Sequence, residues 1–134
     1  MNSKLRKGRN SVTALYTHLV FVTNDRAKLF EQEGLETLEL AFKSVARKMD
    51  FKIVEFNGES DHVQLLVEYP PKLSVSTLVN HLKGVSSRMY RKKFPSNNKH
   101  LWSPSYFALS CGGAPTETLK QYIQEGERKK RVGR

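Results

Sequence analysis

The sequence predicts an α+β domain in which one antiparallel sheet carries two helices. Three observations predict this class. Residues with β-branched or aromatic side chains concentrate in four short runs, as they do in strands. Two longer segments instead place apolar residues every three or four positions, which is the spacing of a helix face. The segments follow the order strand, helix, strand, strand, helix, strand, which favours an antiparallel sheet.

Each strand is predicted from its own composition and from the residues that end it. The four predicted strands span residues 14–23, 51–56, 63–68 and 106–111. Asn57-Gly58 is a typical hairpin dipeptide, so we expect a tight turn between the second and third strands. Pro70 and Pro71 end the third strand, because proline cannot donate to a ladder of hydrogen bonds.

Helices are predicted at 31–50 and after Ser74, whose hydroxyl can cap the first turn. A third, short helix is expected between Pro115 and Gly126, and it contains Tyr122. These elements together predict a ferredoxin-like (RRM-like) βαββαβ sheet with two helices on one face, followed by a C-terminal helix. The other face of the sheet would be open for a ligand or for the last helix.

Length and composition predict one domain over residues 1–134, with basic flexible arms at about 1–11 and 127–134. No apolar run approaches the length of a membrane span, and the first residues lack the apolar stretch of a signal peptide. Cys111 is the single cysteine, which is typical of a reducing compartment. We therefore expect a soluble cytoplasmic protein with no membrane partner.

The charge is strongly positive and unevenly distributed. Lys and Arg number 23 against 13 Asp and Glu, a net charge of +10, and the basic residues form blocks near both ends and around residue 90. Such blocks favour a polyanionic partner, because each neutralised phosphate releases counterions; solvated tails and solubility are the alternative. The candidate DNA-binding residues are Arg9, Lys83, Arg88, Arg91 and Lys92.

His62 and Gln64 are the most informative polar pair. Residues two apart on a strand point the same way, so these two share a face while Val63, Leu65 and Val67 face the core. An imidazole nitrogen beside an amide oxygen can hold a divalent cation such as Mg²⁺ or Mn²⁺. The alternative is that both side chains fill the solvated face of the sheet.

Tyr122 is a second candidate on the predicted C-terminal helix. Glu125 lies three residues later and therefore shares its helical face. A phenol with a pKa near ~10 is a poor nucleophile at neutral pH unless a metal or a base assists it. From local sequence alone, a tyrosine half-buried against the sheet is the alternative.

The chain resembles the small single-tyrosine transposases of bacterial and archaeal insertion sequences, the insertion sequence 200/605 family with its His-hydrophobic-His signature. The resemblance runs through nearly the whole chain. The matching segments are YTHLVFVTNDR, SDHVQLLVEYPPKLSVSTLVNHLKGVSSRM, LWSPSYFALSCGG and LKQYIQEG.

The resemblance implies a DNA transposase that binds hairpins and cuts the single strand beside them. It implies that Tyr122 is the nucleophile, forming a 5′-phosphotyrosine, and that His62 is the first metal ligand. It also implies a homodimer. The cutting and rejoining of strands would then require Mg²⁺ or Mn²⁺ but no ATP.

Two positions depart from the family pattern, and both concern the metal. Gln64 stands where the second His of the signature usually stands, and its amide oxygen can still coordinate Mg²⁺ with weaker binding. Gly126 stands where the family tends to supply a Gln, and Glu125 is a candidate replacement ligand. A catalytically impaired hairpin-binding relative or regulator is therefore the alternative, and a ferredoxin-like RNA-binding module is a third possibility without motif support.

Overall fold

A computed structural model describes residues 6–7, 12–13, 15–96 and 100–112. The predicted helix with Tyr122 and Glu125 lies outside these residues, as does Arg9. The elements in chain order are β1 (Arg6–Lys7), β2 (Val12–Thr13), β3 (Leu15–Val22), a 3-10 turn (Asn24–Arg26), α1 (Gln32–Met49), β4 (Lys52–Glu59), β5 (His62–Tyr69), α2 (Val75–Lys93) and β6 (Phe107–Gly112).

The main sheet has four antiparallel strands in the order β4-β5-β3-β6. The two central strands, β3 and β5, pair without interruption from Leu15 opposite Tyr69 to Val22 opposite His62. Helix α1 connects β3 to β4 and α2 connects β5 to β6, and in each case the two strands are not adjacent in the sheet, which is the ferredoxin-like arrangement. The predicted α+β class and the βαββαβ order of the described elements are confirmed.

The core lies between the helices and one face of the sheet. Phe21 of β3 is fully buried, and its ring meets Phe42 of α1 and Trp102 edge-on at centroid distances of 6.0 and 5.7 Å. Phe30 and Tyr90 extend the same aromatic cluster, with their ring centroids 5.3 Å apart. Such edge-to-face pairs add to the stabilisation that burial alone provides. The cluster joins α1, α2, β3 and the segment before β6.

Helix α1 begins and ends within one residue of its predicted bounds, and α2 begins directly after Ser74, as predicted. Ser74 caps α2, since its Oγ accepts a hydrogen bond from the Thr77 amide at 3.1 Å. Helix α1 ends at Asp50, which adopts a left-handed conformation with φ of 63°. Glycine is the usual residue in this conformation at a helix C-terminus, and aspartate can adopt it because its short polar side chain forms local hydrogen bonds. Neither of these helices is long and apolar enough to cross a membrane, a finding limited to the described residues.

The predicted hairpin turn at Asn57-Gly58 is wrong. Both residues lie in β4, where Asn57 pairs with Gln64 and Gly58 with Val63, and the turn falls at Ser60 and Asp61. A Cβ on Gly58 would lie 2.5 Å from the end of the Leu35 side chain of α1 and 3.3 Å from the Val63 side chain. The glycine therefore lets the helix approach this strand closely.

The face of the sheet away from the helices, expected to be open for a ligand or for the last helix, carries buried side chains on its central strands. Side chains there remain nearly inaccessible, with exposed fractions of 4% for Tyr16, 8% for Gln64 and 1% for Glu68. Leu66 lies between Gln64 and Glu68 on this face, so β5 is buried on both faces although this one carries polar side chains.

We predict that Ser86→Ala destabilises the fold more than Ser87→Ala does. Ser86 is fully buried, and its Oγ accepts the indole N–H of Trp102 at 3.0 Å. Removal of this acceptor leaves a buried donor unsatisfied, at a cost of about 1–3 kcal/mol. Urea unfolding measures the difference, and the adjacent Ser87→Ala controls for the change in helix propensity. Equal stability of the two variants would contradict the prediction.

Candidate active site

His62 begins β5, at the end of the sheet where the β4–β5 turn lies. Its backbone is opposite Val22 on one side and Glu59 on the other. The side chain projects from the face away from the helices, and it is 19% exposed. The imidazole is therefore partly buried and still accessible at the rim of the sheet.

Gln64 lies two residues along β5 and on the same face as His62, as strand alternation predicts. It is registered opposite Val20 and Asn57. The pair offers one nitrogen and one amide oxygen, a donor set that suits a hard divalent cation completed by further oxygen ligands. Within the described part of the chain, no group of three or more His, Cys, Asp and Glu side chains could hold a metal ion.

Asp61 orients the His62 ring. The two side chains form a hydrogen bond of 2.9 Å between His62 Nδ1 and Asp61 Oδ1. Because an ionised carboxylate only accepts hydrogen bonds, Nδ1 is the donor, and a neutral ring then carries its lone pair on Nε2. This carboxylate–histidine pairing is the usual outer support of a metal-binding imidazole.

Arg26 holds the Asp61 carboxylate from the other side. Its Nε donates to Asp61 Oδ2 at 3.3 Å, and its Nη2 lies 3.3 Å from the same oxygen. Burial alone would raise the pKa of Asp61, but the hydrogen bond from His62 and the charge of Arg26 outweigh it and lower the pKa below its ordinary value. Asp61 is therefore ionised at neutral pH.

The Arg26 side chain reaches Asp61 because the chain before α1 adopts an unusual turn. Asp25 and Arg26 both have positive φ, of 59° and 55°. Thr23 fixes the turn, since its Oγ1 donates to Ala27 O at 2.7 Å and its amide donates to Asp61 O at 2.9 Å. Non-glycine residues adopt this conformation at a cost of about 1–3 kcal/mol, and such strain is typical of functional sites.

Sequence reasoning missed Arg26 and Asp61 as site residues. A signal was present for Asp61, because a carboxylate directly before a candidate metal-binding histidine can reach its Nδ1. Arg26 carried no such signal, since it lies 35 residues from Asp61 and depends on the two positive φ angles.

The predicted DNA-binding residues of α2 fall into two groups. Arg88 and Lys92 are exposed and Arg91 is half-buried, all three near the C-terminal end of the helix. Lys83 is instead held by the protein, because its Nζ donates to the carbonyl oxygens of Ser103 at 2.6 Å and Ser105 at 3.1 Å. Burial lowers the pKa of Lys83.

Comparison with known proteins identifies the family. The family described as "Transposase IS200 like" matches residues 11–126 of this chain. The chain belongs to this family of transposases. The resemblance inferred from the sequence motifs is confirmed, and membership of this transposase family indicates a DNA-cleaving and strand-transfer enzyme.

The curated relatives are transposases of similar length. The transposase for insertion sequence element IS200 of Salmonella typhimurium is 28% identical over 121 residues, which cover 87% of this chain and 79% of that protein. The ISDra2 transposase TnpA of Deinococcus radiodurans is 25% identical over 126 residues, which cover 90% of each chain.

Solved structures share the fold of this transposase. A candidate transposase from Deinococcus radiodurans R1 superposes with a TM-score of 0.75 at 28% identity, covering 92% of this chain and 97% of that one. A REP-associated tyrosine transposase, solved bound to a REP hairpin, gives a TM-score of 0.59 at 16% identity, covering 88% and 67%.

We predict that Lys83→Met loosens the segment before β6 in this transposase. Without the ammonium group, the Ser103 and Ser105 carbonyls lose their donor, and the unfolding free energy should fall by about 1–3 kcal/mol. Hydrogen exchange at residues 101–107 should accelerate. Lys92→Met, an exposed lysine on the same helix, is the control. Unchanged exchange in Lys83→Met would contradict this role.

Proposed function

We propose that this transposase cuts and rejoins single-stranded DNA beside hairpins, through a covalent bond between Tyr122 and a 5′ phosphate, with Mg²⁺ or Mn²⁺ as its cofactor. The observation that carries the proposal is the Arg26–Asp61–His62 chain of contacts, which fixes an imidazole beside Gln64 at the rim of the sheet. The family resemblance supports the roles of the residues that lie outside the described ranges.

The cation would be held by His62 through Nε2 and by Gln64 through its amide oxygen. Glu125 is the proposed third protein ligand, in place of the Gln that the family pattern has at the position of Gly126. When bound, a divalent cation polarises the scissile phosphate and stabilises the charge that develops on its oxygens. Two neutral ligands from β5 leave positions for carboxylate and phosphate oxygens, which Mg²⁺ and Mn²⁺ prefer.

Tyr122 is the proposed nucleophile. Its phenolic oxygen loses its proton and attacks the phosphorus, the bond from phosphorus to the 3′ oxygen breaks, and that oxygen leaves as a 3′-hydroxyl after it gains a proton. The product is a 5′-phosphotyrosine. Attack by a different 3′-hydroxyl reverses the step and releases Tyr122, so the strand is rejoined with no net loss of phosphodiester bonds.

The basic residues are proposed to bind the phosphates of the hairpin. Arg88, Arg91 and Lys92 lie together at the C-terminal end of α2, and Arg9 belongs to the basic N-terminal arm. The structural neighbour bound to a REP hairpin supports hairpin DNA as the partner. Lys83 contributes its charge while it also holds residues 103–105. Binding of this kind weakens steeply with added salt.

Two further properties complete the proposal. The transposase acts as a homodimer, as the family resemblance implies, and it acts in the cytoplasm.

The second candidate function is a catalytically impaired hairpin-binding relative or regulator. Gln64 and Gly126 favour this candidate, because both replace residues that the family pattern supplies near the cation.

We predict a metal-dependent covalent adduct that requires Tyr122. End-labelled single strands from the flanks of the encoding gene, mixed with the protein and Mg²⁺ or Mn²⁺, should give a labelled protein–DNA band on a denaturing gel. Tyr122→Phe should abolish the band and retain hairpin binding, because only the hydroxyl is lost. Ser76→Ala, at an exposed serine of α2, controls for a hydroxyl lost elsewhere. Hairpin binding with no adduct in either metal would favour the regulator.

We predict that Asp61→Asn weakens Mn²⁺ binding about 10–100-fold, because loss of an outer partner of a metal-binding histidine has effects of this size. Isothermal titration of the protein with Mn²⁺ measures the affinity directly. Asp25→Asn, an exposed aspartate in the neighbouring turn, should bind as the wild type does. Equal affinities of the Asp61 variant and the wild type would contradict the positioning role.

We predict that Glu125→Ala weakens Mn²⁺ binding and that Glu127→Ala does not. A carboxylate that binds the cation contributes both negative charge and an oxygen ligand. Glu127 lies two residues further along the chain and is not a proposed ligand, so its loss should leave the affinity unchanged. The same titration compares the two variants at constant ionic strength. The reverse order of effects would exclude Glu125 as the third ligand.

A further inference from the structure

A groove lies between α2 and the segment that precedes β6, on the helix side of the sheet, whereas the His62 side chain projects from the other face. Its volume is about 320 Å³, at the lower end of the roughly 300–1,000 Å³ typical of small-ligand sites. A volume of this size is enough for a single nucleotide. Polar and aromatic residues of its lining include Asn80, Lys83, Ser87, Arg91, His100 and Tyr106.

The walls of the groove are held in place by the fold. Trp102 is 6% exposed, and its indole N–H is bonded to Ser86 of α2. Lys83 of α2 also holds the segment before β6, because its Nζ donates to the Ser103 and Ser105 carbonyls. A pre-formed groove of this kind binds a ligand without the cost of ordering a loop.

The chemistry of the groove suits a nucleotide. Tyr106 presents a ring that is 40% exposed, and the Lys83 ammonium lies 5.6 Å from its centroid. Arg91 supplies positive charge, and Asn80 supplies an amide that can both donate and accept. No Asp or Glu is among the described residues that line the groove. Exposed aromatic rings beside cationic groups are the usual platform for unpaired bases.

The groove is close to the candidate active site. The Ser103 amide donates to Val22 O at 2.8 Å, and Val22 is the residue opposite His62. The backbones of Ser103 and His62 are therefore two strand spacings apart, roughly 10 Å. A single strand whose scissile phosphate lies at His62 would reach the groove within a few nucleotides.

We propose that this groove holds one unpaired nucleotide of the DNA strand that flanks the hairpin, with its base stacked on Tyr106 and its phosphate toward Arg91. The inference rests on the proposed function, since it assigns a subsite to the same DNA. The groove thus fixes the position of the flanking strand relative to His62, while the basic end of α2 holds the hairpin.

Fluorescence of 2-aminopurine tests the subsite. Single strands from the flank of the encoding gene, each with 2-aminopurine at one unpaired position, are mixed with the full-length protein in the presence of a chelator, so that no strand is cut. We expect quenching at one or two adjacent positions. The quenching should be lost in Tyr106→Ala and retained in Tyr106→Phe, because both rings can stack.

Affinities give a second readout. Tyr106→Ala should weaken binding of the hairpin with its flank about five- to hundredfold, the range measured when a stacking residue is truncated. Binding of the same hairpin without the flank should be unchanged, as should both affinities in Arg47→Ala, an exposed arginine on α1.

Three outcomes would overturn the subsite: no quenching at any position, quenching that persists in Tyr106→Ala, or equal weakening for the hairpin without its flank. Tighter binding of the RNA strand of the same sequence would also overturn it. The adduct assay with wild-type protein on the same oligonucleotide separates this inference from the proposed function. An adduct without Tyr106-dependent quenching would refute the groove alone, and quenching without an adduct would refute the cleavage proposal alone.

Discussion

The hydrogen bond between His62 and Asp61 is the contact on which the candidate active site depends. At 2.9 Å it sets the tautomer of the ring and fixes the direction of Nε2. Asp61 can do this only while it is ionised and held, and Arg26 supplies both the charge and a second contact. The strained turn at Asp25 and Arg26 is therefore part of the site. Its cost is offset by the hydrogen bonds of Thr23, which join the turn to the β4–β5 connection.

The part of the site that follows from local periodicity could be predicted from the sequence. Strand alternation alone places His62 and Gln64 on one face, because the period of two holds for any regular strand. The Ser74 cap and the extent of α1 follow equally from local rules. The hairpin turn at Asn57-Gly58 could not be predicted correctly, since these two residues pair with Gln64 and Val63 in the ladder and the turn lies at Ser60 and Asp61, against the local preference of the dipeptide.

Contacts between distant segments account for the rest of what the sequence did not predict. The face of the sheet away from the helices was expected to be open for a ligand or for the last helix, and no local rule indicated that Glu68 on that face would be only 1% exposed. Helical projection placed Lys83 on the polar side of α2. It could not indicate that the carbonyls of residues 103 and 105, 20 and 22 positions away, would accept its hydrogen bonds. Such pairs have no signature in a single sequence.

The proposed cation site and the proposed DNA-binding groove lie on opposite faces of the domain, and this separation bears on the substitutions at Gln64 and Gly126. The imidazole and amide of β5 lie on the face away from the helices, whereas the groove and the basic end of α2 lie on the helix side. The two sides meet at the end of β3, where Val22 contacts both His62 and Ser103 through the backbone. A substitution that weakens the cation site changes no contact of the groove. The same fold can therefore keep its hold on DNA while its cleavage chemistry is weakened, which is why covalent capture and non-covalent binding have to be measured separately in this transposase.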